Sequence, residues 1–122
     1  MIAFSNRAHL AVRPDVRDEL TRCLTHVFGC ADPSSLKTPG LSEPILAFRF
    51  PGGGSMSFEF RSDALTESEV MRGAWMEVKT DELNRLRAAI TGAGMKRVHH
   101  PASDTFYCVL PGGQVLGIVA AT

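Results

Sequence analysis

The side chains best suited to chemistry lie on one polar stripe in the first half of the chain, at Ser57, Glu59 and Arg61. Apolar residues alternate with them, so the stripe predicts one face of a β-strand. His9 has the same parity on an earlier predicted strand. Such a face can recognise a polar ligand, or its groups can satisfy one another as an internal salt bridge, because a buried glutamate needs a partner in either case.

The residues around this stripe leave two interpretations open. Arg49 lies on the neighbouring predicted strand, residues 45–50, which the run Pro51-Gly52-Gly53-Gly54 joins to the stripe by a hairpin. Arg49 can therefore join the polar cluster. His9 either contacts a ligand or is a hydrogen-bonded structural imidazole. No helix follows the glycines, so they are hairpin residues and not a phosphate-binding loop.

The second half of the chain offers an aromatic counterpart to the polar stripe. Trp75 and Glu77 share one face of a predicted strand whose opposite face is apolar, and Gly117 lies on the last predicted strand. An indole on such a face is a stacking platform for an aromatic or cationic ligand. The alternative interpretation of Trp75 is ordinary sheet packing or a contact in a dimer.

The remaining cysteines and histidines do not indicate a site. Cys23 and Cys30 have helical spacing with one histidine between them, but Cys23 belongs to an apolar helix stripe and a metal site needs more ligands. His99 and His100 are adjacent on a predicted strand, so they point to opposite faces and cannot chelate together. Cys108 is expected to be a packed thiol.

The elements that must position these residues occur twice. The two runs are His9-Leu10-Ala11-Val12-Arg13-Pro14-Asp15 and Trp75-Met76-Glu77-Val78-Lys79-Thr80-Asp81. Each run predicts a strand that leads into a helix through an aspartate. Each half then reaches a Pro-Gly-Gly turn and an alternating strand. Repetition on this scale indicates two copies of one supersecondary unit.

The predicted fold class is α+β, with two β-α-β-β-β modules in a single domain of residues 1–122. Module one spans residues 1–62, a linker helix spans 63–72 and module two spans 73–122. Each helix is expected to pack on the apolar strand face, so the opposite faces line a curved cup of mixed sheet with the helices outside. A concavity lined by His, Glu, Arg and Trp is more often a ligand pocket than a core.

Local signals predict how the helices begin. The first helix is expected to begin at Asp15 as its N-cap and to end before a glycine C-cap. Residues 30–44 then predict a loop with a short irregular strand near 36–38. Thr66-Glu67-Ser68-Glu69 has the capping-box pattern of a short helix. Thr80 is the predicted cap of the last helix, with acidic residues in its first turn.

Charge and composition exclude several classes of function. Thirteen basic and thirteen acidic side chains cancel, so no global field draws the chain to nucleic acid or to an anionic membrane. No apolar run approaches the roughly 18 to 20 residues that span a bilayer, and the first residues do not have the composition of a signal peptide. Three cysteines are an odd number, which favours reduced thiols and a cytoplasmic location.

This arrangement resembles the vicinal oxygen chelate superfamily, which includes glyoxalase I, the extradiol dioxygenases, the fosfomycin-resistance proteins and the bleomycin-resistance binding proteins. The resemblance covers nearly the whole chain and rests on the order of four segments: His9–Val12 with Asp15, Gly73–Val78 with Asp81, the helix end at Ala93-Gly94, and Pro111–Leu116. The last segment looks like the family's Asp-Pro-Asp-Gly-Asn hairpin. The resemblance implies the glyoxalase/bleomycin-resistance/dioxygenase fold.

The resemblance also implies where a divalent metal would bind. Carried over residue by residue, the family's ligand positions fall on His9, on Trp75, on Gly117, and on or near Ser57 or Glu59. Trp75 cannot ligate a metal, and Gly117 has no side chain. At most two ligands remain, whereas a catalytic site needs about three. The chain is therefore expected to hold no metal, no cofactor and no catalytic residue of the family.

The bleomycin-resistance branch, which has no metal site, fits these residues best. It implies a protein that binds a bulky or aromatic small molecule in the sheet cleft. The expected contact residues are His9, Arg49, Ser57, Glu59, Arg61, Trp75, Glu77 and Gly117. The alternative is a metal-dependent lyase, isomerase or dioxygenase of the superfamily, with a divalent metal on His9 and Glu59 and further ligands from a partner chain, water or substrate. A scaffold kept only for protein interaction is a third possibility.

A homodimer is expected because the strand edges of each module need partners. Gly73 and Ala74 are small and permit close backbone approach, so the strands that carry His9 and Trp75 are the expected participants. In that arrangement Trp75→Ala weakens ligand binding and dimerisation together.

Overall fold

A computed structural model describes residues 1–121 and divides the chain into two compact units, one spanning Met1–Ala64 and one beginning at Leu65. Each unit contains one four-stranded mixed sheet with helices, so the predicted fold class is confirmed. The predicted linker helix belongs to the second unit. No helix in residues 1–121 is long and apolar enough to cross a membrane.

The first unit orders its strands β1-β4-β3-β2, with β1 parallel to β4 and the other pairs antiparallel. Its elements in chain order are β1 (Arg7–Val12), a 3₁₀ turn (Pro14–Val16), α1 (Arg17–Arg22), a π-helical segment (Cys23–Val27), β2 (Ser34–Leu36), β3 (Ile45–Arg49) and β4 (Ser55–Phe60).

The start of the first helix differs from the prediction. Asp15 lies inside the 3₁₀ turn and caps nothing, because Pro14 takes the first position of that turn and Arg13 becomes its N-cap. The α-helix begins two residues later, at Arg17. Its end agrees with the prediction: Gly29 has a φ of +75°, and the next amide donates back to the Leu24 carbonyl. The irregular strand lies at 34–36 and not at 36–38.

The apolar face of the first sheet is the predicted one. Phe48 and Phe58 pack edge to face with centroids 5.9 Å apart, and Leu20 and Leu24 of the helix are fully buried. The residues of β4 that alternate with this buried set remain partly exposed. One face of β4 is therefore core, and the other is free to carry polar groups.

The second unit orders its strands β5-β8-β7-β6, with β5 parallel to β8. Its elements are α2 (Glu67–Met71), β5 (Met76–Thr80), α3 (Leu83–Gly92), β6 (Arg97–His100), β7 (Ser103–Val109) and β8 (Val115–Ala120). The core side of β7 carries Phe106, whose ring lies beneath the guanidinium of Arg97 at 3.4 Å and near that of Arg87 at 5.5 Å.

Helix starts in the second unit follow their capping residues. The capping box of Thr66 and Glu69 is present as predicted. The Thr80 hydroxyl accepts a hydrogen bond from the Glu82 amide at 3.0 Å, but α3 begins only at Leu83. The predicted acids of the first turn, Asp81 and Glu82, therefore precede the helix.

The two Pro-Gly-Gly hairpins have the same hydrogen-bond pattern but different surroundings. In both hairpins the second glycine after the proline, Gly53 or Gly113, donates its amide to the carbonyl of the residue before that proline. Gly53 has open space around its α-carbon, whereas a Cβ on Gly113 would overlap the Glu67 carbonyl oxygen and lie 2.9 Å from the Cβ of Val70. The second hairpin is thus packed directly under α2.

We expect Gly113→Ala to destabilise the protein more than Gly53→Ala. Both glycines have strongly positive φ, +106° and +110°, so both variants carry similar backbone strain. Gly113→Ala adds the overlap with α2, and its free energy of unfolding should fall by about 1–3 kcal/mol more than that of the control. Urea denaturation of both variants measures the difference. Equal losses would show that α2 does not pack on the hairpin.

Candidate functional site

The register of the first sheet brings the polar stripe and His9 together. His9 on β1 lies opposite Ser57 on β4, and Ser57 lies opposite Ala47 on β3. Residues directly opposite one another project from the same face, so His9, Ser57 and Glu59 share one side of the sheet. The small side chain of Ala47 leaves the far side of Ser57 uncovered.

Five side chains on this face form one hydrogen-bonded chain, which we call the polar network. His9 Nδ1 lies 2.7 Å from Ser57 Oγ, and His9 Nε2 lies 3.0 Å from Glu59 Oε1. Arg61 Nη1 donates to the other oxygen, Glu59 Oε2, at 2.9 Å. Arg61 also donates to both carboxylate oxygens of Asp63, at 2.9 and 3.0 Å. The network therefore runs Ser57–His9–Glu59–Arg61–Asp63.

The charges along the network explain the pKa shifts of its acids. The hydrogen bond from His9, followed by that from Arg61, lowers the pKa of Glu59. The hydrogen bonds and the charge of Arg61 lower the pKa of Asp63. Asp63 and Glu59 in turn raise the pKa of Arg61. Glu59, whose side chain is 18% exposed, is therefore held as a carboxylate between two donors.

The tautomer of neutral His9 follows from this carboxylate. An ionised Glu59 can only accept, so Nε2 of His9 must carry the proton that it donates. Nδ1 then holds a lone pair, and the Ser57 hydroxyl donates to it. The His9 side chain is 50% exposed. An exposed imidazole thus meets a polarised serine hydroxyl on one side and a fixed carboxylate on the other.

Arg49 does not join this network. Its partner in the sheet is Ser55, two residues before Ser57, and its exposed side chain has no hydrogen bond or ion pair with the residues that the structure describes. Glu59 is satisfied by Arg61 and His9 instead. The predicted polar cluster therefore forms around Arg61, and it includes Asp63, which the alternation of the strand could not reveal because Asp63 follows the strand end.

An aromatic cluster of Trp75, Tyr107 and His100 lies on the second sheet. Tyr107 lies opposite Gly117, and a Cβ on Gly117 would come within 2.9 Å of the Tyr107 ring. Trp75 packs on Tyr107 with centroids 4.9 Å apart and meets the His100 ring edge-on at 5.8 Å. The Trp75 indole donates to the Met71 carbonyl at 2.9 Å. Gly117 is thus a glycine because an aromatic ring lies over it.

Glu77 borders this cluster. Gly117 on β8 pairs with Glu77 on β5 and with Tyr107 on β7. Residues paired in this way project from the same face of the sheet, so Glu77 and Tyr107 share a face. The Glu77 side chain is exposed and has no hydrogen bond or ion pair with residues 1–121. The structure therefore brings Trp75, Glu77 and Gly117 close together and adds Tyr107 and His100, which were not predicted as site residues.

The sheet registers correct one equivalence between the modules. Alignment of the two runs on their aspartates makes Trp75 the counterpart of His9. In the structure, Glu77 pairs with Gly117 as His9 pairs with Ser57, and the strand ends agree, because Arg61 donates to the Val12 carbonyl as Ala121 donates to that of Thr80. The 3₁₀ turn adds two residues before α1, and this insertion shifts the alignment by two.

The other cysteines and histidines behave as the sequence indicates. Cys23, Cys30 and Cys108 are buried and form no disulfide within the described residues. Burial raises the pKa of Cys30 and of Cys108 to about 11, so both remain protonated and unreactive near neutral pH. His100 accepts a backbone hydrogen bond from Ala102 at its Nδ1.

The sequence matches no protein-family model and no curated protein, but solved structures share its architecture. A glyoxylase/bleomycin resistance protein/dioxygenase domain from Frankia sp. EAN1pec has a TM-score of 0.74 at 13% identity, over 100% of this chain and 94% of that one. The fosfomycin resistance protein FosX from Mesorhizobium loti has a TM-score of 0.70 at 14% identity, over 97% and 91%. This chain has the vicinal oxygen chelate fold.

One of the solved structures with this fold contains a divalent metal. A variant of FosX from Listeria monocytogenes, complexed with Mn(II) and 1S,2S-dihydroxypropylphosphonic acid, matches with a TM-score of 0.70 at 16% identity, over 100% of this chain and 95% of that one. At these identities the likeness shows the fold alone. Whether this chain can hold a metal must be judged from its own donors.

Those donors do not fit a divalent metal. Both nitrogens of His9 and both carboxylate oxygens of Glu59 are already engaged, and the Arg61 guanidinium adjoins Glu59 at 2.9 Å, where it opposes a second cation. In the second unit the corrected register puts the opening ligand position on Glu77, whose exposed carboxylate is a possible donor, but the Tyr107 ring covers Gly117 at the closing position. Within residues 1–121 no three His, Cys, Asp or Glu side chains are grouped as metal ligands. The donor set of this chain therefore disagrees with the metal that the resemblance implies.

We expect the polar network to stabilise the protein only above the acid range. Because the folded state lowers the pKa of Glu59 below its ordinary 4.5 and that of Asp63 below 3.8, their contribution is fully present above those values. It is lost as pH falls through the lowered folded pKa of each group. Glu59→Gln should therefore flatten the fall in unfolding free energy on the acid side.

Urea denaturation across the acid range measures this effect. Glu77→Gln is the matched control, because Glu77 is an exposed strand glutamate outside the network. A Glu59→Gln protein with the same acid dependence as wild type would contradict the network.

Proposed function

We propose that this protein binds a bulky or aromatic small molecule, preferably a cationic one, on the aromatic cluster of the second sheet and without a complete metal site. The observation that carries the proposal is the stack of Trp75 on Tyr107 over Gly117, with Glu77 beside it. Aromatic faces next to an unpaired carboxylate attract a flat cation by dispersion, by the ring quadrupole and by charge.

The rigidity of the cluster supports a binding role. The Trp75 indole is fixed by the Met71 carbonyl, and the Gln114 side chain, itself buried, donates to the Ala74 carbonyl at 2.8 Å. The indole and the backbone of the residue before it are thus held in place before a ligand arrives. Preorganisation of this kind lowers the entropy that binding must overcome.

A metal-dependent lyase, isomerase or dioxygenase is the weaker proposal for this chain. It needs His9 and Glu59 to leave their present partners, and it needs ligands from outside the described residues. FosX from Listeria monocytogenes forms a complex with Mn(II), whereas the donors of this chain at His9 and Glu59 are engaged with other side chains. The fosfomycin resistance for which FosX is named motivates a narrower proposal: the protein sequesters a natural product that would otherwise harm its host.

The proposed location is cytoplasmic and the proposed assembly a homodimer. Three buried cysteines without a disulfide among residues 1–121 support a reducing compartment. β1 and β5, the strands expected to take part in dimerisation, each lie at one edge of their own sheet, and an edge strand offers unpaired backbone groups to a second copy. Sedimentation at micromolar concentration decides the assembly, and a strictly monomeric protein would remove that part of the proposal.

The ligand proposal is tested with a charged and an uncharged form of one ring system. We expect N-methylquinolinium to bind about threefold to thirtyfold more tightly than quinoline in isothermal titration calorimetry, as a cation–π contact with a carboxylate neighbour predicts. Glu77→Gln should abolish this preference. Trp75→Ala should lower the affinity for both compounds and should also weaken dimerisation. Glu82→Gln, which removes one acid of the same unit away from the cluster, should change neither affinity.

Three results would contradict the proposal. One is that Trp75→Ala binds both compounds as wild type does. Another is a cation preference that survives Glu77→Gln. The third is clear thermal stabilisation by zinc, nickel or manganese at low micromolar concentration, which would favour the metal-dependent alternative.

A further inference from the structure

The polar network has the arrangement of an activated hydroxyl. Glu59 accepts from His9 Nε2 at 3.0 Å, so the opposite nitrogen, Nδ1, is free to accept a proton from Ser57 at 2.7 Å. A nucleophile, a base within hydrogen-bond reach and a third group that orients the base are the three parts that nucleophilic catalysis by serine requires. All three project from one face of one sheet.

The carboxylate that orients the base is itself immobilised. Its second oxygen accepts a hydrogen bond from Arg61, and the Arg61 guanidinium donates two further hydrogen bonds to Asp63. Glu59 therefore cannot rotate away from His9 without breaking a charge-assisted hydrogen bond. Arg61 and Asp63 act as positioning residues for the imidazole, and they place no group near the hydroxyl itself.

The hydroxyl is open to a substrate and has a cation within reach. Ser57 is partly exposed, and its neighbour on β3 is the small Ala47. Arg49 lies two residues further along β3, on the same face and diagonal to Ser57, a separation that a long side chain can span. Its guanidinium has no partner among residues 1–121, so it is available to negative charge that develops beside Ser57.

We propose that Ser57 is a nucleophile and His9 its general base in the hydrolysis of small activated esters. Ser57 Oγ forms a bond to the ester carbonyl carbon while its proton passes to His9 Nδ1. The bond from that carbon to the leaving oxygen then breaks, and His9 returns the proton to the departing alcohol. Water then gives a proton to His9 Nδ1 and attacks the acyl carbon. The bond from that carbon to Ser57 Oγ breaks, His9 returns the proton to Oγ, and the carboxylic acid is released. The guanidinium of Arg49 stabilises the negative charge that develops on the carbonyl oxygen.

This activity goes beyond the ligand binding proposed for the second unit and uses none of its residues. The loss of one proposal therefore leaves the other intact. A fluorophosphonate probe tests it, because an activated serine displaces fluoride from phosphorus and keeps a stable covalent label. Peptide mass spectrometry of the labelled wild-type protein identifies the residue.

We expect the label on Ser57 and not on Ser55, the matched serine on the same face of β4. Ser57→Ala should abolish labelling and the hydrolysis of p-nitrophenyl butyrate, and Ser55→Ala should leave both unchanged. His9→Gln should slow labelling by at least about 100-fold, the contribution expected of a general base. Thermal unfolding checks that each variant is folded.

The proposal is overturned if the wild-type protein takes no label, or if Ser55 and Ser57 are labelled alike. It is also overturned if folded His9→Gln is labelled at the wild-type rate. The comparison of Ser57 with Ser55 uses only the wild-type protein, so it decides the matter even if His9→Gln does not fold. Ester hydrolysis that persists in Ser57→Ala would assign the reaction to the imidazole alone and reject Ser57 as the nucleophile.

Discussion

The polar face of the first sheet depends on one carboxylate that is shared by an imidazole and a guanidinium. Glu59 receives a hydrogen bond from His9 on one oxygen and from Arg61 on the other. A partly buried carboxylate is costly without such donors, and here each oxygen has one. Because the carboxylate stays ionised, it also determines which nitrogen of His9 bears the proton and which way the Ser57 hydroxyl points. The chemistry of this face follows from that single shared charge.

The same constraint separates this chain from a metal-binding member of its fold. A cation at His9 would have to displace Ser57 and compete with Arg61 for Glu59. In the second unit the ring of Tyr107 covers the corresponding position, and the missing Cβ of Gly117 makes room for it. The same strand and helix order can thus carry different side chains on its polar face, here a hydrogen-bonded network in one unit and stacked rings in the other.

Much of the fold could be predicted from local patterns, and the site only in part. Alternation predicts the strands and their apolar faces correctly, and the Thr66 capping box and both hairpins are where the sequence predicts them. That His9 and Glu59 each lie on the polar face of their strand follows from parity alone. The equivalence between the two modules does not, because an extra turn at Pro14 is invisible when the modules are aligned on their aspartates. The overlay of Tyr107 on Gly117 depends on the register of β7 with β8, and it could not be predicted from either strand by itself.

The position of the proton on His9 is the most direct test of the shared carboxylate. Long-range proton–nitrogen NMR of the His9 side chain, at a mildly alkaline pH where an imidazole is neutral, distinguishes the two tautomers. We predict a protonated Nε2 and an unprotonated Nδ1, unchanged when zinc is added. We also predict that Glu59→Gln reverses the tautomer, because the amide oxygen of Gln would turn to Arg61 and its NH₂ group to His9. A protonated Nδ1 in the wild-type protein, or a His9 spectrum that shifts on stoichiometric zinc, would contradict the shared carboxylate.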